Sequence, residues 1–294
     1  MEQLLLLITT PLYVCVILLE IILSHYHRPS TYGFRDTLYN LTFMLLNGGI
    51  DLAFRSVYVL VFAWLFQYRI IDWPTMGAAY WLGLIIGMDF LFYWLHRIDH
   101  QSRLFWAVHV THHSSEKFNL SVGFRSSIFQ PLYRFIYFLP LPWLGFAPSD
   151  ILFIFSATQI WGILVHTEYI NKLGWLEYVL VTPSHHRVHH ASNVLYLDKN
   201  YGMLLIIWDR LFGSFQEELD PQTYEPIRYG LTSPLPEQGL AHAIFHEWLG
   251  IGKDLKRPVG LRNRLHYLLG PPGWSHDGST QTTRELQEQY RQEK

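Results

Sequence analysis

Residues 4–23 form a near-continuous apolar run, about as long as a helix needs to cross the hydrocarbon core of a bilayer. A cleaved leader would show a basic start and a small-x-small cleavage site. Met1-Glu2-Gln3 has no basic residue and no such site follows, so the run reads as a retained transmembrane helix. Four further apolar stretches follow, at about 38–66, 76–95, 128–146 and 151–165. Asp51 and Arg55 lie inside the first of these, four residues apart, so they are expected to share a face and neutralise each other. Ala147-Pro148-Ser149 separates the last two stretches and reads as the turn of a helical hairpin. The expected fold is therefore an all-α integral membrane protein with about four to five membrane helices.

Composition adds a second compartment to that picture. The chain is 50% hydrophobic and only 16% charged, yet its mean hydropathy of +0.10 is modest. A sizeable polar portion must therefore sit outside the bilayer. From His166 onward polar clusters alternate with short apolar pieces such as 203–208, which suit interfacial or cap helices. With the N-terminus outside, Arg28, Arg35, Arg97, Arg103, Lys117, Arg125 and Arg134 fall on the inner side, against little more than Arg69 opposite. This predicts a helical cap on the cytosolic face, at the plasma (inner) membrane of a bacterium or the endoplasmic reticulum of a eukaryote.

Residues 1–294 read as a single membrane domain, without a solenoid repeat. Residues 275–294, with Arg284, Glu285, Glu288, Arg291, Glu293 and Lys294, are expected to be a flexible end or a solvated helix. A net charge of -2 argues against nucleic acid as a partner. The lone Cys15 excludes a disulfide framework and a cysteine-based zinc site.

Histidine is where the chemistry gathers. Three clusters stand out: His96-x-x-x-His100, His109-x-x-His112-His113 and His186-x-x-His189-His190. Positions at i, i+3 and i+4 of a helix share a face, so each cluster can aim its imidazoles at one point. A structural zinc takes four protein ligands and a catalytic zinc three, so these eight histidines point to two metals. Imidazole suits iron, zinc, copper and nickel alike. The apolar surroundings favour a redox metal that activates O2 against hydrocarbon, and iron is the reading. His166, at the end of the fifth stretch, is a candidate ninth ligand, and His185, beside the third cluster, a candidate ligand or proton shuttle. Asp89, seven residues before His96, and Asp209 are candidates for orienting imidazoles by accepting their second N–H. Each could instead form a structural ion pair with an arginine. The scattered His25, His27, His242, His246, His266 and His276 read as interfacial or hydrogen-bonded residues.

The order HxxxH, HxxHH, HxxHH resembles the fatty acid hydroxylase/sterol desaturase superfamily, whose core would occupy about residues 80–217. The finer resemblance is to its alkylglycerol monooxygenase-like branch. It is carried by His109-Val110-Thr111-His112-His113-Ser114-Ser115-Glu116-Lys117-Phe118-Asn119-Leu120-Ser121, by His166-Thr167-Glu168 and by Thr182-Pro183-Ser184-His185-His186-Arg187-Val188-His189-His190. Asp198-Lys199-Asn200-Tyr201-Gly202, Ile206-Ile207-Trp208-Asp209 and Tyr229-Gly230-Leu231-Thr232 extend it. The resemblance implies a di-iron site with the eight motif histidines as ligands. It also implies O2, a lipid drawn from the bilayer, and a reductase or other electron donor as partners. The implied reaction is lipid C–H hydroxylation or desaturation, including hydroxylation beside an ether oxygen with collapse to aldehyde and glycerol. Animal members that use tetrahydrobiopterin place Glu directly after the second histidine of the first box, where this chain has Gln101. The donor thus stays open, a tetrahydropterin among the candidates. A sterol or carotenoid hydroxylase or desaturase is the alternative within the superfamily. Outside it stand a zinc-dependent membrane hydrolase and a histidine-rich metal transporter, which should carry its polar ligands in mid-span.

Overall fold

The computed structural model describes residues 1–28, 30–233 and 239–293. They form α-helices and 3-10 turns with no strand among them, only two isolated bridges, Leu180 to Leu205 and Ala191 to Tyr229. Among the described residues, three helices are long and apolar enough to cross a membrane: α1 (Glu2–His27), α2 (Phe34–Phe66) and α3 (Ala78–Gln101). One extended residue, Ser102, separates α3 from α4 (Arg103–His113), which folds back onto it. The shorter apolar helix α5 (Pro148–Leu164) completes the stem.

Two expectations for the stem change in the structure. The stretch 128–146 is not one spanning helix but three short pieces, Gln130–Leu132, Arg134–Tyr137 and Pro140–Trp143. Pro131, Pro140 and Pro142 each remove an amide donor, so a continuous i to i−4 ladder cannot form. The hairpin expected around Ala147-Pro148-Ser149 is therefore an irregular wall leading into α5. Asp51 and Arg55 also do not pair with each other. Arg55 pairs with Glu2 of α1, and Asp51 with Arg134 Nη2 at 2.5 Å. Both charges are thus neutralised between segments instead of within α2, which ties α1 and the broken stretch to that helix.

Apolar burial holds the stem together: Tyr58 and Phe62 of α2, Leu84 and Met88 of α3, Leu141, and Ile151 of α5 form one core. The cap contains α6 (Pro183–His189), α7 (Leu240–Leu255), α8 (Leu261–Leu269) and α9 (Thr283–Gln292). Arg103, at the start of α4, is gripped by Glu247 and Asp254 of α7 at 2.6 and 2.7 Å, which fixes α4 from the cap side. At the chain's end, Thr282 and Glu285 cap α9 reciprocally, and Gln287 Nε2 donates to the carbonyls of Val194 and Leu197. Of the two expectations for 275–294, a flexible end or a solvated helix, residues 283–292 take the helix, with no residue of it buried; Lys294 lies outside the described residues.

Replacing Arg134 with Met should leave the Asp51 carboxylate without its partner inside the apolar stem. A loss of about 3–5 kcal/mol is expected, the usual result of removing half of a buried pair. Thermal unfolding in detergent reads it, and a double Asp51→Asn/Arg134→Met variant should recover much of the loss.

Candidate metal centre

Helix geometry sorts the histidines. His96 and His100 lie one turn apart on α3, and His109, His112 and His113 on the last turns of α4. His186 and His189 lie on α6, whose C-cap is His190, and His166 follows just after α5. Their ring nitrogens converge in two groups, each with its ligand atoms within 4.8 Å of one another: His96, His100, His109, His113 and His189, then His112, His166, His186 and His190. The two triple clusters divide crosswise. α4 sends its i, i+4 pair to the first group and His112 to the second, whereas α6 sends His189 to the first and its i, i+4 pair to the second.

Within each group nitrogens face nitrogens. His109 Nε2 is 3.1 Å from His96 Nε2 and 3.2 Å from His113 Nε2. His166 Nε2 is 2.9 Å from His186 Nε2 and 3.2 Å from His190 Nε2. Lone pairs aimed at a common point suit a cation between them. His100 Nε2, His186 Nδ1 and His189 Nε2 are buried with no protein hydrogen-bond partner. An all-imidazole donor set of this kind fits a borderline transition metal in each group.

Backbone carbonyls set which nitrogen is free. A carbonyl can only accept, so each of these Nδ1 atoms carries the proton and leaves the Nε2 lone pair free to bind a metal. His96 Nδ1–H donates to Tyr201 at 2.8 Å, His112 to Arg125 at 3.1 Å, His166 to Gly162 at 2.7 Å and His189 to Lys199 at 2.9 Å. His109 Nδ1 meets Ser127 Oγ at 3.2 Å, and His100 Nδ1 meets Asp198 Oδ1 at 3.3 Å. Burial, then the neighbouring imidazoles, holds His109, His113, His186 and His190 well below the ordinary histidine range. Burial likewise lowers His112 to about 4. These rings are neutral at physiological pH, the form that binds metal.

The acidic residues expected beside the imidazoles act at one remove. Asp89 accepts from the backbone N–H of Leu204 and Leu205 and from Trp208 Nε1, and so shapes the 204–208 turn. Asp209 accepts from the N–H of Tyr201 and Gly202 and from Ser214 Oγ. It thereby fixes the peptide whose carbonyl receives His96. Neither forms an ion pair among the described residues. His185, expected as ligand or shuttle, lies in neither group: it closes the capping box of α6 with Thr182, and its Nε2 is 3.9 Å from Glu177. None of His25, His27, His242, His246, His266 and His276 joins a group either.

Other residues support the site without having been singled out for it. Asp99, buried, accepts from Gln130 and Tyr133 and lies 3.9 Å from His109 Nδ1. Asp198 and Asn200 hold left-handed backbone, φ +57 and +56, in the turn that delivers the Lys199 and Tyr201 carbonyls. Glu20, buried on α1, accepts from Thr167 Oγ1 and from Leu120 N–H and so pins α1 beside His166. Such contacts join distant segments through backbone atoms, and spacing along the chain carries no mark of them.

Two cavities reach the histidines from different sides, with no ring in common. One of about 350 Å³ runs among α1, α2, α3 and α5, where Leu6, Met44, Phe92 and Ile160 lead to His96, His109, His112, His166 and His186. The other, about 390 Å³, lies against the cap, where Glu247, Thr232 and Thr283 surround His100, His113, His189 and His190. Each touches members of both groups.

Residues 81–214 match the profile of the fatty acid hydroxylase family. The chain is 35% identical to alkylglycerol monooxygenase of Homo sapiens over 267 residues, 90% of this chain and 59% of that protein. It is 31% identical to a Delta(7)-sterol 5(6)-desaturase of Gibberella zeae over 180 residues, 58% of this chain and 50% of the desaturase. It is 29% identical to an ornithine lipid hydroxylase of Rhizobium tropici over 171 residues, with the same coverage of 58% and 50%. The chain thus spans about three fifths of the length of the vertebrate monooxygenases it matches. No solved structure matches it.

The depressed histidines give the metal-free chain a definite pH response. Above the ordinary value of 6.5 the rings are neutral folded or unfolded and contribute no slope. As pH falls from 6.5 toward about 4, the unfolded chain takes up protons that the folded site refuses, so stability is lost over that window. Thermal unfolding of metal-stripped protein should show the midpoint dropping as the solution is acidified, and added metal should displace the drop to lower pH. A flat profile would count against neutral buried rings.

Proposed function

The chain belongs to the fatty acid hydroxylase family, and from that premise we propose that it is a membrane monooxygenase holding two irons, one per histidine group, and oxidising a lipid C–H bond with O2. The observation that carries this reading is the junction of two all-histidine groups with a cavity walled by the apolar helices of the stem. A hydrolase would have little to attack along a hydrocarbon chain, whereas an O2-activating centre has C–H bonds throughout.

Bound there, the irons would supply O2 reduction and the removal of hydrogen from the substrate carbon. The protein's part is positioning and exclusion. Phe92, Met44 and Ile160 offer an acyl or alkyl chain an apolar wall, with His96, His112 and His166 at its end. The Tyr201, Lys199, Arg125 and Gly162 carbonyls keep four Nδ1–H groups occupied and their rings oriented. Burial keeps His109, His112, His113, His186 and His190 unprotonated. Hydroxylation balances as one oxygen atom into the C–H bond and one into water, with two electrons and two protons from a donor.

The branch resemblance refines the substrate to an alkylglycerol ether. An ether oxygen stabilises a radical on the adjacent carbon, which makes that C–H bond the easiest in the chain to break. The hydroxylated carbon is then a hemiacetal that collapses to an aldehyde and glycerol. We place the centre on the cytosolic face, because Arg97, Arg103, Lys117 and Arg125 cluster at that end of the stem. A reductase or a small reductant would supply the electrons; the cap-side cavity, away from the lipid wall, suits their arrival.

Membranes holding the active chain, fed 1-O-hexadecylglycerol, sterols or carotenoids under labelled O2, should convert the ether lipid and incorporate one labelled atom per turnover. His112→Ala and His189→Ala each remove a ligand from a different group, so each should abolish turnover and lower bound iron while the chain still inserts. Full oxidation by either variant, or ester cleavage without O2 by a zinc-loaded protein, would overturn the reading.

A further inference from the structure

We propose that α7 and α8 form a platform that lies in the interfacial layer of the same membrane and prefers a leaflet with anionic headgroups. The observation is an unpartnered apolar stripe on each helix, bordered by unpaired cations. On α8, Leu261, Leu265 and Leu269 recur at every fourth position and are 72%, 50% and 52% exposed, while Tyr267 on the opposite side is buried. At about 100° per residue, Arg262 falls to one side of this stripe and Arg264 to the other. Leucines flanked by arginines are the arrangement in which a helix sinks its apolar face among acyl chains while long basic side chains reach back to the headgroups.

The α7 helix repeats the pattern. Phe245 and Leu249, four apart, are 43% and 58% exposed, and the same side continues into the exposed Lys253 and Lys256. None of Lys253, Lys256, Arg262 and Arg264 has an ion-pair partner among the described residues, and Asp254, the one acid between Lys253 and Arg264, is taken by Arg103 and Arg257. In a chain of net charge -2 this is a local basic field with no internal use.

Its place in the fold names the occupant. The inner side of α7, Ala243 and Ile244, packs on Phe43 of α2 and on Ile128, so the helix lies against the apolar stretch of a membrane-crossing helix. Phe245 sits beside Phe129 at 6.1 Å between rings. Along the chain from Phe129, Leu132 and Ile136 are exposed on the broken stretch of the stem, apolar surface of the kind a bilayer would cover. A second copy is the less favourable occupant, because a symmetric contact would set the same four cations against each other.

The test uses full-length protein in nanodiscs of phosphatidylcholine alone or mixed with phosphatidylglycerol, with Cys15→Ser as background. Nitroxides are placed through Leu249→Cys, Leu265→Cys and, as an aqueous reference, Arg284→Cys on α9. Power saturation against O2 and a water-soluble nickel chelate should show the first two labels several-fold more accessible to O2 relative to nickel than the third. The contrast should grow with phosphatidylglycerol and lose that growth in Arg262→Gln/Arg264→Gln. Labels as water-exposed as Arg284→Cys, or dipolar broadening from a neighbouring copy, would overturn the platform. Immersion indifferent to phosphatidylglycerol would overturn the anionic preference. None of these readouts involves turnover, so they stand apart from the oxidation assay.

Discussion

Nine imidazoles pack at the top of a membrane stem, and at His109, His112, His113, His166, His186, His189 and His190 burial makes the charged form costly, so these rings stay neutral. A neutral imidazole still has two nitrogens to satisfy, one as donor and one as acceptor. Much of the surrounding structure answers that requirement. Carbonyls of Tyr201, Lys199, Arg125 and Gly162 accept the protonated nitrogen of four rings, which leaves the other nitrogen of each facing inward. The inward nitrogens then lie close enough together that a bound cation is the natural way to stabilise them.

That demand propagates outward through buried polar side chains that hydrogen-bond to no imidazole. Asp209 holds the Tyr201–Gly202 peptide, Asp89 the turn that follows, and Asn200 bridges His185 and Gln216. Asp198 and Asn200 accept left-handed backbone so that the Lys199 and Tyr201 carbonyls can point into the site. Strain of this kind persists only where the surroundings over-determine it, and here the surrounding hydrogen bonds do so.

The stem meets the site through the same economy of charge. Glu20 on α1 joins Thr167 and Leu120 beside His166, and Arg125 spans from Asp36 and Asn40 of α2 to Ser114 at the end of α4. Membrane helices that share only lipid-like surfaces have little reason to adopt one arrangement. Buried polar contacts between them supply it, and they do so at the level where the two histidine groups lie.

The sequence by itself determined which histidines can gather, because spacing on a helix is local: residues one turn apart share a face wherever the helix goes. It also determined that a membrane stem carries them, since apolar length is additive along the chain. It overestimated the continuity of 128–146, where apolar content outweighed three prolines in the reading though not in the structure. It paired Asp51 with Arg55 by proximity, whereas each found a partner on another segment. Only the tertiary structure decided the crosswise division of the two HxxHH clusters, the role of Asp89 and Asp209 behind the backbone, and the place of His185 in a helix cap. These depend on where carbonyls and carboxylates from distant segments meet, and a backbone oxygen is the same atom in every residue, so no pattern of side chains along the chain can announce it.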